Sequence, residues 1–223
     1  MDQNPQVVQY GRPSELTTNT VLRKTYVLLA ATLLFSAGTA WYSMATHVSF
    51  INPWMMLLIY FGLLFATNAL RNSPAGVVAV FALTGFLGYT LGPLLSFYLK
   101  ALPNGREIIF YALGTTGLVF LTLSAYAITT RKNFSYMGGF LVTGMIIAFV
   151  ASIANLFLHM PVLMLVTSSI FVLVMSGWIL YQTSAIINGG ETNYIVATVN
   201  LYVALYDIFV SLLQIFGVMG GRD

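Results

Sequence analysis

Residues 200–214 read NLYVALYDIFVSLLQ, an apolar helix-length run with one carboxylate, Asp207, at its centre and no Lys or Arg to pair with it. Continued outward, the run has the length of a membrane span near 194–218. Asn193, Asn200, Asp207 and Gln214 recur every seven residues, and Ala204 and Ser211 fall between them. On a helix these positions form one narrow stripe. Tyr202, Tyr206, Phe209 and Leu213 occupy other faces. A polar seam along an apolar helix does not face lipid, where each unsatisfied group costs several kcal/mol. The last helix is therefore expected to pack against the others, seam inward.

The rest of the chain has the same character. Of 223 residues, 58% are hydrophobic and only 7% charged, with a mean hydropathy of +0.86. A soluble domain carries roughly 25% charged residues, so an integral membrane protein with little mass outside the bilayer is expected. The net charge of +3, with its charges scattered, gives no basis for nucleic-acid binding. With no cysteine, disulfides, thiolate metal sites and thiol nucleophiles are excluded. His47 and His159 lie far apart, each near a span end, and are read as interfacial. Neither a nucleophile–base pair nor a metal motif is present, so neither an enzyme nor a cofactor is expected.

Residues 1–24 are polar and without apolar periodicity, and are read as a flexible tail ahead of a membrane domain at 25–223. "SMA" at 43–45 resembles a signal-peptidase site, but the leading polar region is too long and the first apolar run reaches a full span. Seven apolar runs follow, near 25–46, 53–70, 75–99, 107–130, 136–159, 162–187 and 194–218. Short punctuated breaks separate them: INP, RNSP, KALPNGRE, TTRKN, HMP and NGGETN. No inverted repeat of the transporter kind is evident. NGGETN lacks the Gly-Lys-Ser/Thr ending of a phosphate loop, and Glu191 reads as a favourable charge at a helix N-terminus. With the N-terminus inside, the cytoplasmic side holds Arg12, Arg23, Lys24, Arg71, Arg131 and Lys132, against Lys100, Arg106 and Arg222 outside. The positive-inside rule then puts the C-terminus outside.

No Lys or Arg lies within a span, which leaves Asp207 three states. It can be protonated, because burial favours the neutral carboxyl. It can accept hydrogen bonds from neutral donors, or face a hydrated cavity and attract a cation. A protonated, helix-joining Asp207 competes with proton or cation sensing. The short connection makes the last two spans neighbours. Depth counting sets Asp207 level with Ser176 and Asn200 level with Gln182, and hydrogen bonds across the pair are expected. In the third span Gly85, Gly88 and Gly92 precede Pro93, a pattern that permits close packing or, with the proline, a gating hinge. Gly138, Gly139 and Gly144 permit similar packing in the fifth span.

Three stretches, FALTGFLGYTLGP (81–93), SAYAITTRKNFSYMGG (124–139) and GGETNYIVATVNLYVALYDIFVSLL (189–213), resemble the Bax inhibitor family in its bacterial YccA-like branch. The resemblance runs from about Val21 to the end. It implies an all-α integral membrane protein of seven transmembrane helices, the last surrounded by the other six. It also implies one of two activities: restraint of FtsH, the membrane-bound ATP-dependent zinc protease of the bacterial inner membrane, or a pH-sensitive calcium leak. Zinc and ATP would belong to the protease. The leak branch carries paired aspartates in patterns like YDT and LYLD. Here the matching positions are Gln182 in YQT and Ala204 in LYVA, which favours the protease modulator. Asp207, one turn beyond Ala204, could partly substitute.

Overall fold

The computed structural model describes the backbone of residues 15–220 and side chains from residue 18 to 220. Seven α-helices follow one another, with no strand among the described residues: α1 (Glu15–Ala45), α2 (Pro53–Ala69), α3 (Ala75–Ala101), α4 (Gly105–Thr130), α5 (Gly138–Leu158), α6 (Pro161–Ile187) and α7 (Tyr194–Gly220). A 3-10 turn, Ser135–Met137, leads into α5. Six helices are long and apolar enough to cross a membrane; α2, with 17 residues, is shorter, rising about 26 Å at 1.5 Å per residue.

Local chemistry sets the helix ends. Asn52 caps α2 by accepting the Trp54 N–H at 2.9 Å, and Pro53 occupies the first turn, where no N–H is needed. Pro161 opens α6 in the same way. α4 and α5 end on Arg131 and His159, both left-handed at φ 51, and His47 just past α1 has φ 52. In that conformation each turns the chain back toward the next helix. Asn155 Oδ1 then accepts the Met160 N–H at 3.0 Å and holds the α5–α6 corner.

Two expectations require correction. The polar stretch at residues 1–24 is not all tail, because α1 begins at Glu15 and continues unbroken into the first span. The part of that stretch before Glu15 lies outside the described residues. Nor is α7 ringed by all six other helices. It packs against α6, α4, α1, α3 and α2, while α5, among the described residues, makes no close backbone contact with it and joins the bundle through α6.

Glycines set the closest approaches. α1 and α3 form the most extensive helix pair. A Cβ on Gly85 would meet the Phe35 ring at 2.6 Å, one on Gly88 would strike the Ser36 carbonyl, and one on Gly92 the Ser43 side chain. The backbones come this near because those three positions have no side chain. α3 runs unbroken through buried Pro93. Across α5 and α6, Gly144 receives Val174 and Gly177 receives Leu141. The core gathers on α7, where Leu201, Ala204, Ile208 and Leu213 are wholly buried. The outer surface is apolar, with Leu34, Leu58, Phe65, Phe140 and Leu173 all more than 70% exposed. An exterior of that kind suits lipid, not water.

Candidate functional site

The candidate site is the polar lining of α7, which has two sides. The first is the stripe facing α6. Asn200 Nδ2 donates to Gln182 Oε1 at 3.3 Å, the cross-helix pair expected from depth. Ser168 Oγ lies 2.6 Å from Gln214 Oε1 and 2.8 Å from the Met164 carbonyl. Its single hydrogen serves one of these acceptors at a time. From Asn200 to Gln214 is the same number of residues as from Gln182 back to Ser168, so the two helices run antiparallel in one register. Asp207, the midpoint on α7, therefore falls opposite Met175, which is buried.

The expected bond between Asp207 and Ser176 does not form. Ser176 Oγ turns back to the Val172 carbonyl, 2.6 Å away on its own helix, the local bond a helical serine makes readily. Asp207 is half-buried and has no hydrogen-bond partner among the described residues. It lies within electrostatic reach of Tyr60 on α2 and Tyr206 on α7. Ser211 is buried on the same stripe. Gln182 is buried, and among the described residues its Nε2 has no partner, nor has the buried Thr25 Oγ1.

The second side was not anticipated. Tyr202 donates its phenol to the Thr84 carbonyl at 3.1 Å, so Ser36 Oγ, 2.6 Å away, donates to the phenol oxygen. Thr90 Oγ1 gives its hydrogen to the Leu87 carbonyl at 2.7 Å, leaving Tyr206 to donate to Thr90 at 3.1 Å. Both chains join α7 to α3, the first also to α1, and both end on a backbone carbonyl. The signal in the sequence was a pair of tyrosines one turn apart on an inward helix, since a buried phenol needs a partner. Sorting them with the apolar faces hid it.

The N-terminus of α7 is anchored by Asn193. Its Oδ1 accepts the Ile195 N–H at 2.9 Å, and its Nδ2 donates to the Arg71 carbonyl at 2.9 Å and to Asn72 Oδ1 at 3.0 Å. Glu191 accepts the Asn193 N–H at 2.7 Å. NGGETN thus works as a helix cap that ties α7 to the α2–α3 turn. Lys24 Nζ sits 5.6 Å above the Tyr194 ring.

Neutral hydrogen bonds dominate this lining. The described residues hold no group of three or more His, Asp or Glu placed to bind a metal ion. Apart from Asp207, the acidic side chains between residues 18 and 220 are Glu107, in the first turn of α4, and Glu191, in the α6–α7 connection. What the arrangement does is hold α7 at a fixed depth and rotation against α1, α3 and α6.

Comparison with known proteins gives concordant results. A family model described as "Inhibitor of apoptosis-promoting Bax1" matches residues 18–221. The Modulator of FtsH protease YccA of Escherichia coli K12 is 50% identical over 216 residues, 96% of each chain. The Inner membrane protein YccA of Escherichia coli O6:H1 has the same identity and coverage. An uncharacterized membrane protein of Vibrio cholerae is 47% identical over 93% of each chain.

Proposed function

Because the chain belongs to the Bax inhibitor family, we propose that it is a multi-pass inner-membrane protein that binds the membrane-bound protease FtsH and restrains it. The observation that carries this reading is the half-identity, over nearly the whole of both chains, to a protein named as a modulator of that protease. A role in binding agrees with the polar lining, in which Asn200, Gln214, Tyr202 and Tyr206 are engaged in helix-to-helix bonds. It agrees too with the large apolar exterior, since an intramembrane partner would be met through helix faces. The N-terminus is cytoplasmic and the C-terminus periplasmic in this reading, as the loop charges favour.

The alternative, a cation leak, rests on Asp207, an acidic group at mid-span without a hydrogen-bonding partner among the described residues. It is weaker here. At the positions of the leak branch's paired aspartates, Gln182 bonds to Asn200 and Ala204 is wholly buried. Neutral groups there cannot share a proton as two carboxyls would.

The cytoplasmic N-terminus is the handle by which the protease engages this chain. Deleting residues 2–14, ahead of α1, should lengthen the protein's own lifetime in cells while leaving its membrane insertion intact. An unchanged lifetime, with no co-purification of the full chain and the protease, would remove the reading.

A further inference from the structure

α1 and α4 both pack on α7, yet among the described residues their backbones never come close to one another. Between them, with α3 alongside, lies a cavity of about 460 Å³ whose floor is α7, at Leu205 and Phe209. Where the chain is read as inserted, this cavity occupies the half of the bilayer nearer the α3–α4 connection. Toward the opposite face the rings of Tyr26 and Phe120, 5.8 Å apart, close the gap between α1 and α4. Sideways it is open: Trp41 on α1 and Leu113 on α4 line it and are 71% and 52% exposed.

The lining identifies the occupant. No charged side chain contributes to it. Its hydroxyls at Ser36, Thr116, Tyr202 and Tyr206 are already engaged, with one another, with Thr84 and Thr90, and with the Ala112 carbonyl. Water entering would find few free polar partners, and apolar cavities of this kind stay dry. A dry void would forfeit the dispersion contacts of its walls. The exposed residues of the lining, Leu33, Ala37, Trp41 and Leu113, carry no charge, so hydrocarbon from the bilayer can enter at little desolvation cost. The volume falls in the range of small-molecule sites, ~300–1,000 Å³.

We propose that this crevice is a lipid site: one acyl chain of a bilayer phospholipid lies between α1 and α4 and rests on α7. The occupant completes the wall that α1 and α4 leave open beside α7, so lipid covers the small part of Leu205 and Phe209 that the protein leaves open.

Gly117 supplies the test, because it lines the crevice and a Cβ built on it meets nothing within 4 Å. Gly117→Leu should fill the space from α4, its Cβ entering without a clash. Ala37→Leu fills it from α1, an independent wall. The full chain would be reconstituted in vesicles of phosphatidylethanolamine and phosphatidylglycerol containing a phosphatidylcholine with a diazirine at mid-acyl chain. After photolysis, labelled residues are mapped by mass spectrometry. The wild-type chain should be labelled at Leu205 or Phe209, each 6% exposed in the lipid-free molecule, as well as at exposed Leu121. Each filling variant that retains the wild-type helical circular dichroism should lose most of the label at Leu205 and Phe209 and keep it at Leu121. Absence of label at Leu205 and Phe209 in the wild type would overturn the proposal, whether water or a protein helix fills the crevice. So would label there that neither filling variant reduces.

Discussion

Asp207 sits where α6 and α7 are otherwise joined by amides and hydroxyls, opposite Met175 and without a hydrogen bond among the described residues. If the protein acts by binding, the side chain at 207 contributes its shape and polarity within the helix interface. Asp207→Asn should then leave folded yield and restraint of the protease unchanged. Asp207→Leu should destabilise packing by about 1–2 kcal/mol, the worth of a polar contact in a helix interface. Folded yield, thermal unfolding and activity of both variants check this. A stable but inactive Asp207→Asn would show that the ionisable proton itself is used, and would move the account to the cation leak. At this scale the sequence was partly legible. The Asn200–Gln182 bond followed from depth counting, and the same register contained Gln214 with Ser168. Ser176 was misjudged because its own helix's carbonyl at Val172, 2.6 Å away, competes for the hydroxyl. Tyr202 and Tyr206 escaped because a tyrosine counts as apolar in a periodicity and as a donor only when a structure shows what it meets.

The α1–α3 contact is the element on which the bundle's closest packing depends. Gly88 has no room for a side chain, since the Ser36 carbonyl and the Thr39 hydroxyl already occupy the place of a Cβ. Gly88→Val should cost about 1–3 kcal/mol as overpacking. It should also disturb Ser36, whose hydroxyl feeds the Tyr202 chain. Gly38→Ala, on a face with nothing within 4 Å, should leave thermal stability unchanged or slightly raised. Comparing the melting temperatures of the two variants in detergent checks this; equal destabilisation would mean that α1 and α3 do not meet as described. Helix existence and most helix ends were readable, because Asn-Pro, Arg-Asn-Ser-Pro and Asn-Gly-Gly breaks act locally. The start of α1 at Glu15 was not. Outside the hydrocarbon a helix needs no apolar stripe, so periodicity gave no sign of one there. The place of α5 was equally hidden. A span that is apolar on every side says that it is in a membrane, but not which helices it touches.

As a whole molecule the protein is a bundle in which α7 is held by hydrogen bonds on two sides and five other helices reach it. If α2 crosses along with the six longer helices, as the proposed topology has it, the two ends lie on opposite sides of the membrane. A reporter active only in the cytoplasm, fused after Asp223, should be inactive, while one fused before Met1 should be active. The reverse pattern would invert every assignment of loops to sides. The central claim, restraint of the protease by binding, is tested most directly by one measurement. The lifetime of a membrane substrate of FtsH is followed by pulse-chase in cells that make this chain and in cells that do not, with the protease recovered through an affinity tag on the chain. The account predicts a longer substrate lifetime when the chain is made, and protease co-purifying with it. An unchanged lifetime in cells where the chain is abundant and correctly inserted would contradict it.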